Sequence, residues 1–181
     1  LQVTILNEEL IQRCRKGDRE AYYEVYHLYK RSMFNTCYRI LNSTEEAEDV
    51  LQESFVSAFK NLEHYRGEST FGAWLKKIVV NKAITQVKRK KMERLPEDER
   101  FDVKEEEAVD VFEGFPCSVE QVKNSMQKLP DGYRMVLSLY LLEGYDHGEI
   151  GEILEITEST SKSQFNRAKK KLKELIKEGM L

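Results

Sequence analysis

Three features of this chain predict an all-α fold. Apolar residues recur at spacings of three and four with no sustained period-two alternation. The three prolines fall between such stretches. Short hydroxyl, amide or acidic residues stand where the periodicity restarts, as helix caps require. Two small helical domains are expected, residues 1–91 and 118–181, joined by an acidic flexible linker over 92–117 that holds too few apolar residues for a core.

Taken in order, Asn7 is placed to cap a short helix from Glu8 to Arg15, which Gly17 stops. Asp18 starts a long helix from Arg19 to Leu41. Its Ala21, Tyr22, Val25, Tyr26, Leu28, Tyr29, Met33 and Tyr38 form a broad aromatic-rich face that reads as core rather than as a cofactor box. Asn42 and Ser43 close that helix and open the next, with Ser43 and Glu46 spaced for a capping box. In this third helix Ala47, Val50, Leu51, Phe55, Ala58, Phe59 and Leu62 make one buried stripe. Glu46, Glu48, Asp49, Gln52, Glu53 and Lys60 are left on the solvent side.

After the break at residues 64–69, Ser69 or Thr70 caps a helix from Phe71 to about Lys91. Its segment Lys76 to Lys91 carries seven cations and no acid. At 100° per residue, Trp74, Lys77, Asn81, Thr85 and Lys88 share one strip. Ala73, Val80, Ile84 and Val87 flank it on one side, and Phe71, Leu75 and Ile78 on the other. Aromatic, amide and cation on one surface can stack on an unpaired base, bond its edge and neutralise the adjoining phosphates. Trp74 beside Phe71 and Leu75 also reads as a core residue, and an acidic face on the preceding helix also reads as merely solvated.

From Glu93 to Glu113 the chain has ten acids against three bases. A solvated spacer and an acidic mimic that shields the basic faces are the two readings of this segment. Ser118 and Gln121 then form a capping box for a helix to Lys128. Pro130 and Asp131 start another, with Tyr133, Val136, Leu137, Tyr140 and Leu141 inward until Gly144. Asp146 and Glu149 form a further capping box for a helix with Ile150, Ile153 and Leu154 inside. After Glu155-Ile156-Thr157 comes the last helix, Glu158 to about Lys177. Short helix, tight turn and basic helix make a helix-turn-helix pattern. On the last helix Phe165, Ala168, Leu172, Leu175 and Ile176 face in. Ser159, Ser163, Asn166, Arg167 and Lys170 face out, with Lys162, Lys169 and Lys173 at the edge. Hydroxyls, amide and arginine suit base edges, and lysines suit phosphates.

The 181 residues, 40% of them hydrophobic, suffice for a buried core. No stretch has the apolar length of a membrane span, and residues 1–10 lack the pattern of a signal peptide, so no membrane insertion and a cytoplasmic location are expected. A net charge of -3 conceals the strong segregation of cations and acids along the chain. Cys14, Cys37 and Cys117 are far apart and read as buried thiols, giving neither a disulfide framework nor a metal site. His27, His64 and His147 lie in separate segments without a phosphate loop or nucleophile motif. No catalytic residue and no cofactor are therefore expected.

Several stretches together resemble a known family. Residues 45–55, Glu-Glu-Ala-Glu-Asp-Val-Leu-Gln-Glu-Ser-Phe, are followed by Tyr65-Arg66-Gly67, Phe71, Trp74-Leu75 and Val80-Asn81. These resemble conserved region 2 of extracytoplasmic-function sigma factors of bacterial RNA polymerase. Leu129-Pro130, Tyr133-Arg134, Glu143-Gly144-Tyr145, Glu149-Ile150, Thr160, Lys162-Ser163 and Arg167-Ala168 resemble region 4 of the same family. The resemblance implies a factor that directs the polymerase core to promoters and assists their melting. It implies that Glu48, Asp49, Gln52 and Glu53 dock on the clamp of the largest subunits, with a second contact to the flap. Tyr65, Arg66, Trp74, Lys77, Asn81 and Lys88 would open and bind the -10 element. Ser159, Lys162, Ser163, Asn166, Arg167 and Lys170 would read the -35 element, and an anti-sigma protein is an implied partner. Glu155 stands where the family usually has Gly in the turn, and Gly151 where it usually has Ala. Ser159 replaces a common Gly, and Ser161 a common apolar residue. The rival reading is a repressor or activator that binds a palindrome as a dimer.

Overall fold

The computed structural model describes residues 2–93 and 118–179, with side chains from 8 to 90 and from 118 to 179, in two compact units divided after Lys91. Among the described residues all regular structure is helical. The expectations for residues 94–117, the flexible acidic linker and the Cys117 thiol among them, lie outside the described residues.

The first unit contains α1 (Gln2–Arg15), α2 (Arg19–Leu41), α3 (Thr44–Lys60), a 3-10 turn (Leu62–His64) and α4 (Phe71–Glu93). Helix α1 runs through Asn7 instead of starting there. An asparagine inside a helix costs only about 0.7 kcal/mol relative to alanine, too little to stop one. Gly17, at φ +80°, turns the chain. Asp18 then caps α2 by accepting from the Glu20 and Ala21 amides at 2.9 and 3.3 Å. Arg13 donates to Asp18 at 2.7 Å and to Glu24 at 3.1 Å, and this bond holds the Asp18 carboxyl below its ordinary value.

Ala21, Val25 and Met33 of α2 are buried as expected, together with Thr36, Cys37, Ile40 and Leu41. Tyr22, Tyr26, Tyr29 and Tyr38 are half-buried. Leu28, expected inside, is 55% exposed. It lies about 100° round the helix from the centre of the buried arc. On α3 the expected Ala47, Val50, Leu51, Phe55 and Ala58 are buried, and Ser54 joins them by donating to the Val50 carbonyl at 2.6 Å. The α2–α3 seam is aromatic. Tyr22 meets Phe59 edge-on at 4.7 Å, and Tyr26 meets Phe55 at 4.9 Å.

The Ser43–Glu46 capping box forms only by half. Ser43 Oγ accepts from the Glu46 amide at 3.4 Å, but the Glu46 carboxylate turns away to pair with Lys90 of α4. Glu46 is therefore half-buried between helices and does not belong to the solvent face. A carboxylate bond to a backbone amide is already charge-assisted, but the ammonium across the groove adds the attraction of a full opposite charge, which an amide lacks. On α4, Thr70 supplies the cap, its Oγ1 accepting from the Ala73 amide at 3.3 Å. Phe71, Leu75, Val79, Val80, Ala83 and Ile84 form the buried side of α4.

The second unit contains α5 (Val119–Gln127), α6 (Asp131–Ser138), α7 (His147–Leu154) and α8 (Glu158–Glu178). Both predicted capping boxes, Ser118 with Gln121 and Asp146 with Glu149, are complete. Leu129, Leu137, Ala168, Leu172 and Ile176 form the core, covered by Val122, Met126, Tyr133, Phe165 and Leu175. Buried Arg134 secures the start of α6, donating to the Leu129 carbonyl at 2.9 Å and to Asp131 at 2.6 Å. Tyr140 and Leu141, expected inside, are 39% and 52% exposed. The cause is a π turn over Leu139–Glu143. Its wider spacing shifts the buried register to Leu139 and rolls the next two side chains outward.

The turn between α7 and α8 passes through Glu155 at φ +60°, a left-handed conformation held by a non-glycine residue. The Ile156 amide donates to the Gly151 carbonyl at 3.0 Å. A Cβ at Gly151 would lie 2.9 Å from the Ile156 carbonyl oxygen. His147 Nδ1 lies 2.9 Å from Oγ of the fully buried Ser161, and its ring stacks on Tyr140 at 4.5 Å. Burial, and after it the nearby Lys162, lower the pKa of His147 from 6.5.

Two outcomes are expected. Gly151→Ala should destabilise the second unit by about 1–3 kcal/mol through backbone overlap, although alanine is the better helix former by about 1 kcal/mol. A thermal unfolding midpoint equal to or above the parent's would refute the close approach. The depressed pKa of His147 means that the fold holds the neutral ring, so its contribution is complete above pH 6.5 and is lost as pH falls through the folded value. Lowering the pH from about 7.5 to about 5.5 should therefore lower the unfolding midpoint of the second unit more in the parent than in His147→Phe. Equal pH slopes would exclude His147 as the titrating group.

Candidate functional site

Each unit presents a polar surface that its packing orients. In the first, the residues that bury α4 lie about 200° from Asn81 and Lys77, so the predicted strip points away from the core. Lys77, Asn81 and Thr85 are exposed, while Trp74 and Lys88 are half-buried. Thr85 Oγ1 is engaged, donating to the Asn81 carbonyl at 2.8 Å. Trp74 takes part in both of its readings. Its ring centroid lies 5.6 Å from that of buried Phe71 and 5.5 Å from that of Tyr65, yet the side chain stays half open to solvent.

Tyr65 joins the strip to the loop before α4. Its ring meets Phe71 edge-on at 5.5 Å, and its hydroxyl donates to the Ser69 carbonyl at 2.7 Å, closing residues 65–69 on themselves. Burial, then the charge of Glu8, raises the Tyr65 pKa, so the phenol remains a donor. Arg66 is exposed at the tip beside Gly67, whose φ is +76°. Tyr65 and Trp74 thus meet at the start of α4, with Arg66 next in the loop, while Lys77, Asn81 and Lys88 follow along the same strip, Asn81 at the middle of the helix and Lys88 two turns beyond it.

Glu48, Asp49, Gln52 and Glu53 are all exposed on the outer face of α3. Glu53 lies 3.7 Å from Lys82 of α4, and this contact and the Glu46–Lys90 pair tie the acidic helix to the basic one. Exposed pairs of this kind stabilise by about 0–1 kcal/mol, so Glu53 stays available to a partner.

In the second unit Ser159, Lys162 and Lys170 are exposed, while Ser163, Asn166 and Arg167 are half-buried along the same face of α8. Thr157 caps the helix by accepting from the Thr160 amide at 3.0 Å. Lys162 pairs with Glu158 at 2.7 Å, one turn earlier, and this bond raises its pKa. Lys169 lies 4.9 Å over the Phe165 ring. The i, i+4 spacing of Glu158 and Lys162 is a local signal that could have given their pairing, whereas nothing local points to Arg15 of α1, which donates to the Tyr65 carbonyl. Among the described residues no cluster of His, Cys, Asp or Glu could hold a metal ion, and no helix is long and apolar enough to cross a membrane.

Residues 25–93 match the family Sigma-70 region 2, and residues 120–172 match Sigma-70, region 4. The chain is 31% identical to the ECF RNA polymerase sigma-E factor of Haemophilus influenzae, over 95% of this chain and 96% of that one. It is 29% identical to the ECF RNA polymerase sigma factor SigW of Bacillus subtilis, over 93% of this chain and 95% of the relative. Among solved structures it resembles the sigma factor RpoE of Bartonella quintana, in complex with the anti-sigma factor NepR. The TM-score is 0.57 at 20% identity, covering 86% of this chain and 96% of that chain. It also resembles CnrH in complex with the cytosolic domain of CnrY, with TM-score 0.55 at 18% identity, over 95% and 97%. With both regions matched in order and a relative aligned almost end to end, the chain belongs to the extracytoplasmic-function sigma factors of the sigma-70 family.

Proposed function

We propose a division of the sigma factor's work between its two units. Residues 1–91 engage core polymerase through Glu48, Asp49, Gln52 and Glu53, and open and hold the -10 element with Tyr65, Arg66, Trp74, Lys77, Asn81 and Lys88. Residues 118–181 read the -35 element with Ser159, Lys162, Ser163, Asn166, Arg167 and Lys170. One observation carries this reading. A half-buried tryptophan in an aromatic cluster, an exposed amide, exposed Lys77 and half-buried Lys88 share the outer strip of α4, which suits an unpaired base and its phosphates. The outer face of α8 suits a duplex instead, with short polar side chains and Arg167 for base edges and Lys170 for phosphate.

The clamp of the largest polymerase subunits is the proposed partner of the acidic α3 face, and the flap a second contact. The RpoE structure contains the anti-sigma factor NepR, which supports a regulatory partner of that kind here. The cytoplasm, where polymerase and DNA meet, is the proposed location, and no chemical step is assigned to the chain.

Run-off transcription with core polymerase over a genomic promoter library tests the whole reading. Transcripts that require this chain are expected, and their absence would refute it. The double variant Asp49→Lys/Glu53→Lys should lose at least about ten-fold in affinity for core polymerase, with unchanged circular dichroism, because exposed acids add little to stability yet steer an interface. Parent affinity in a pull-down would remove the assignment of α3. Arg167→Ala should cost about 1–3 kcal/mol on the preferred -35 duplex and relax choice at about one base pair, whereas Lys170→Ala should weaken all duplexes alike. Competition binding at several salt concentrations separates them, since each phosphate contact contributes roughly -0.9 to the log-log salt slope. Equal losses on preferred and scrambled duplexes for Arg167→Ala would make α8 a backbone-binding helix only.

A further inference from the structure

Arg15 is the last residue of α1, exposed and fifty positions before the residue it touches. Its neighbour Arg13 bonds carboxylates of its own surroundings, Asp18 and Glu24. Arg15 Nη2 instead donates to the backbone carbonyl of Tyr65, the residue that ends the 3-10 turn and opens the loop before α4. That residue is then fixed at three points. Its ring lies against Phe71 and Trp74, its hydroxyl closes on the Ser69 carbonyl, and its own carbonyl is held by the guanidinium. Glu8, also on α1, adds its charge to burial in raising the Tyr65 pKa.

An exposed carbonyl needs no protein donor, because water would satisfy it equally well. What the bond adds is orientation. The ring contacts and the hydroxyl bond hold the Tyr65 side chain, whereas the guanidinium holds the backbone from which Arg66 and the left-handed Gly67 follow, and a misplacement of about 1 Å can cost two orders of magnitude where a reacting group must be placed. We propose that Arg15 is a positioning residue for base selection at the -10 element, holding the loop at residues 65–69 through the Tyr65 carbonyl. This rests on the assignment of Tyr65, Trp74 and Asn81 to that element. It gives α1 a part in promoter choice that its distance in sequence conceals.

The test uses holoenzyme assembled from core polymerase and the full chain. The probe is a promoter fork whose unpaired non-template strand is randomised over the -10 element, and bound strands are sequenced. Arg15→Ala should lower base preference about ten-fold at one or two positions, while binding to a fork of fixed unrelated sequence and the unfolding midpoint stay at parent values. Arg15→Lys, which keeps one donor at the end of a long stem, should restore most of the preference. Unchanged preferences in Arg15→Ala would overturn the proposal. So would a uniform loss at every position, or a loss in both variants accompanied by a lower midpoint, since these mark a purely structural role. Trp74→Ala and Asn81→Ala run alongside. If they flatten the preferences and Arg15→Ala does not, the brace alone is wrong. If they leave every preference intact, the -10 assignment fails and takes the brace with it.

Discussion

The placement of the α4 strip depends on a close approach between Tyr29 of α2 and Gly72 of α4. A Cβ at Gly72 would lie 2.9 Å from Cε1 of Tyr29. Without it the tyrosine reaches the helix start and meets Phe71 at 5.5 Å. Phe71 in turn supports both Tyr65 and Trp74, so one aromatic chain runs from the middle of α2 to the solvent face. Aromatic pairs of this kind add about 0.5–1.5 kcal/mol each beyond their buried area. Their larger effect is geometric, because rings packed tilted or edge-on against buried Phe71 have few alternative packings. The half-open position of Trp74 is therefore a consequence of what lies beneath it, and the core and surface readings of that residue describe its two sides.

Charge is partitioned with the same economy of neighbours. Lys82 and Lys90 of α4 lie against Glu53 and Glu46, and Lys162 of α8 lies against Glu158. A phosphate arriving at any of these lysines must displace a carboxylate that is already there. The exposed pairs are weak, so the exchange is inexpensive at Lys162 and Lys82. Glu46 differs, since its Oε2 is buried with no hydrogen-bond partner among the described residues. Removing Lys90 from it would leave a poorly solvated carboxylate, and that penalty ties Lys90 to the fold more firmly than the other two.

Features set by short-range chemistry were legible in the sequence. Asp18, Ser118 and Asp146 all act as caps, and two of them complete full capping boxes, because a cap needs only the next three residues. The failures were partly local, at Asn7 inside α1 and at Leu28 off the buried arc of α2, and partly decided elsewhere in the chain. Glu46 left its capping position for a lysine forty-four residues away. Tyr140 and Leu141 turned outward because one π turn displaced the register by which they had been assigned to the core. The candidate residues of α4 and α8 fell on solvent-facing sides as their periodicity required, since a strip opposite a buried line is fixed by helix geometry alone. The Arg15 contact had no signal of that kind, its two ends being joined only by the fold.

The helix-turn-helix shows how departures at separate positions fit one another. A left-handed residue other than glycine costs about 1 kcal/mol or more, and Glu155 carries that strain at φ +60°. Gly151, inside α7, has no side chain to hold the returning backbone away, so the Ile156 amide can reach its carbonyl at 3.0 Å. The bond and the close packing it permits offset the strain of the turn and the poor helix propensity of the glycine. A hydroxyl buried at Ser161 would likewise be costly without a partner. The imidazole of His147 supplies one at 2.9 Å and shields it with Tyr140 and Phe165. In both cases a residue that looks unfavourable alone is matched by another across the turn. The start of α8, with Lys162 and Ser163 on its outer side, is therefore held by contacts from α7 and does not depend on an ideal glycine turn.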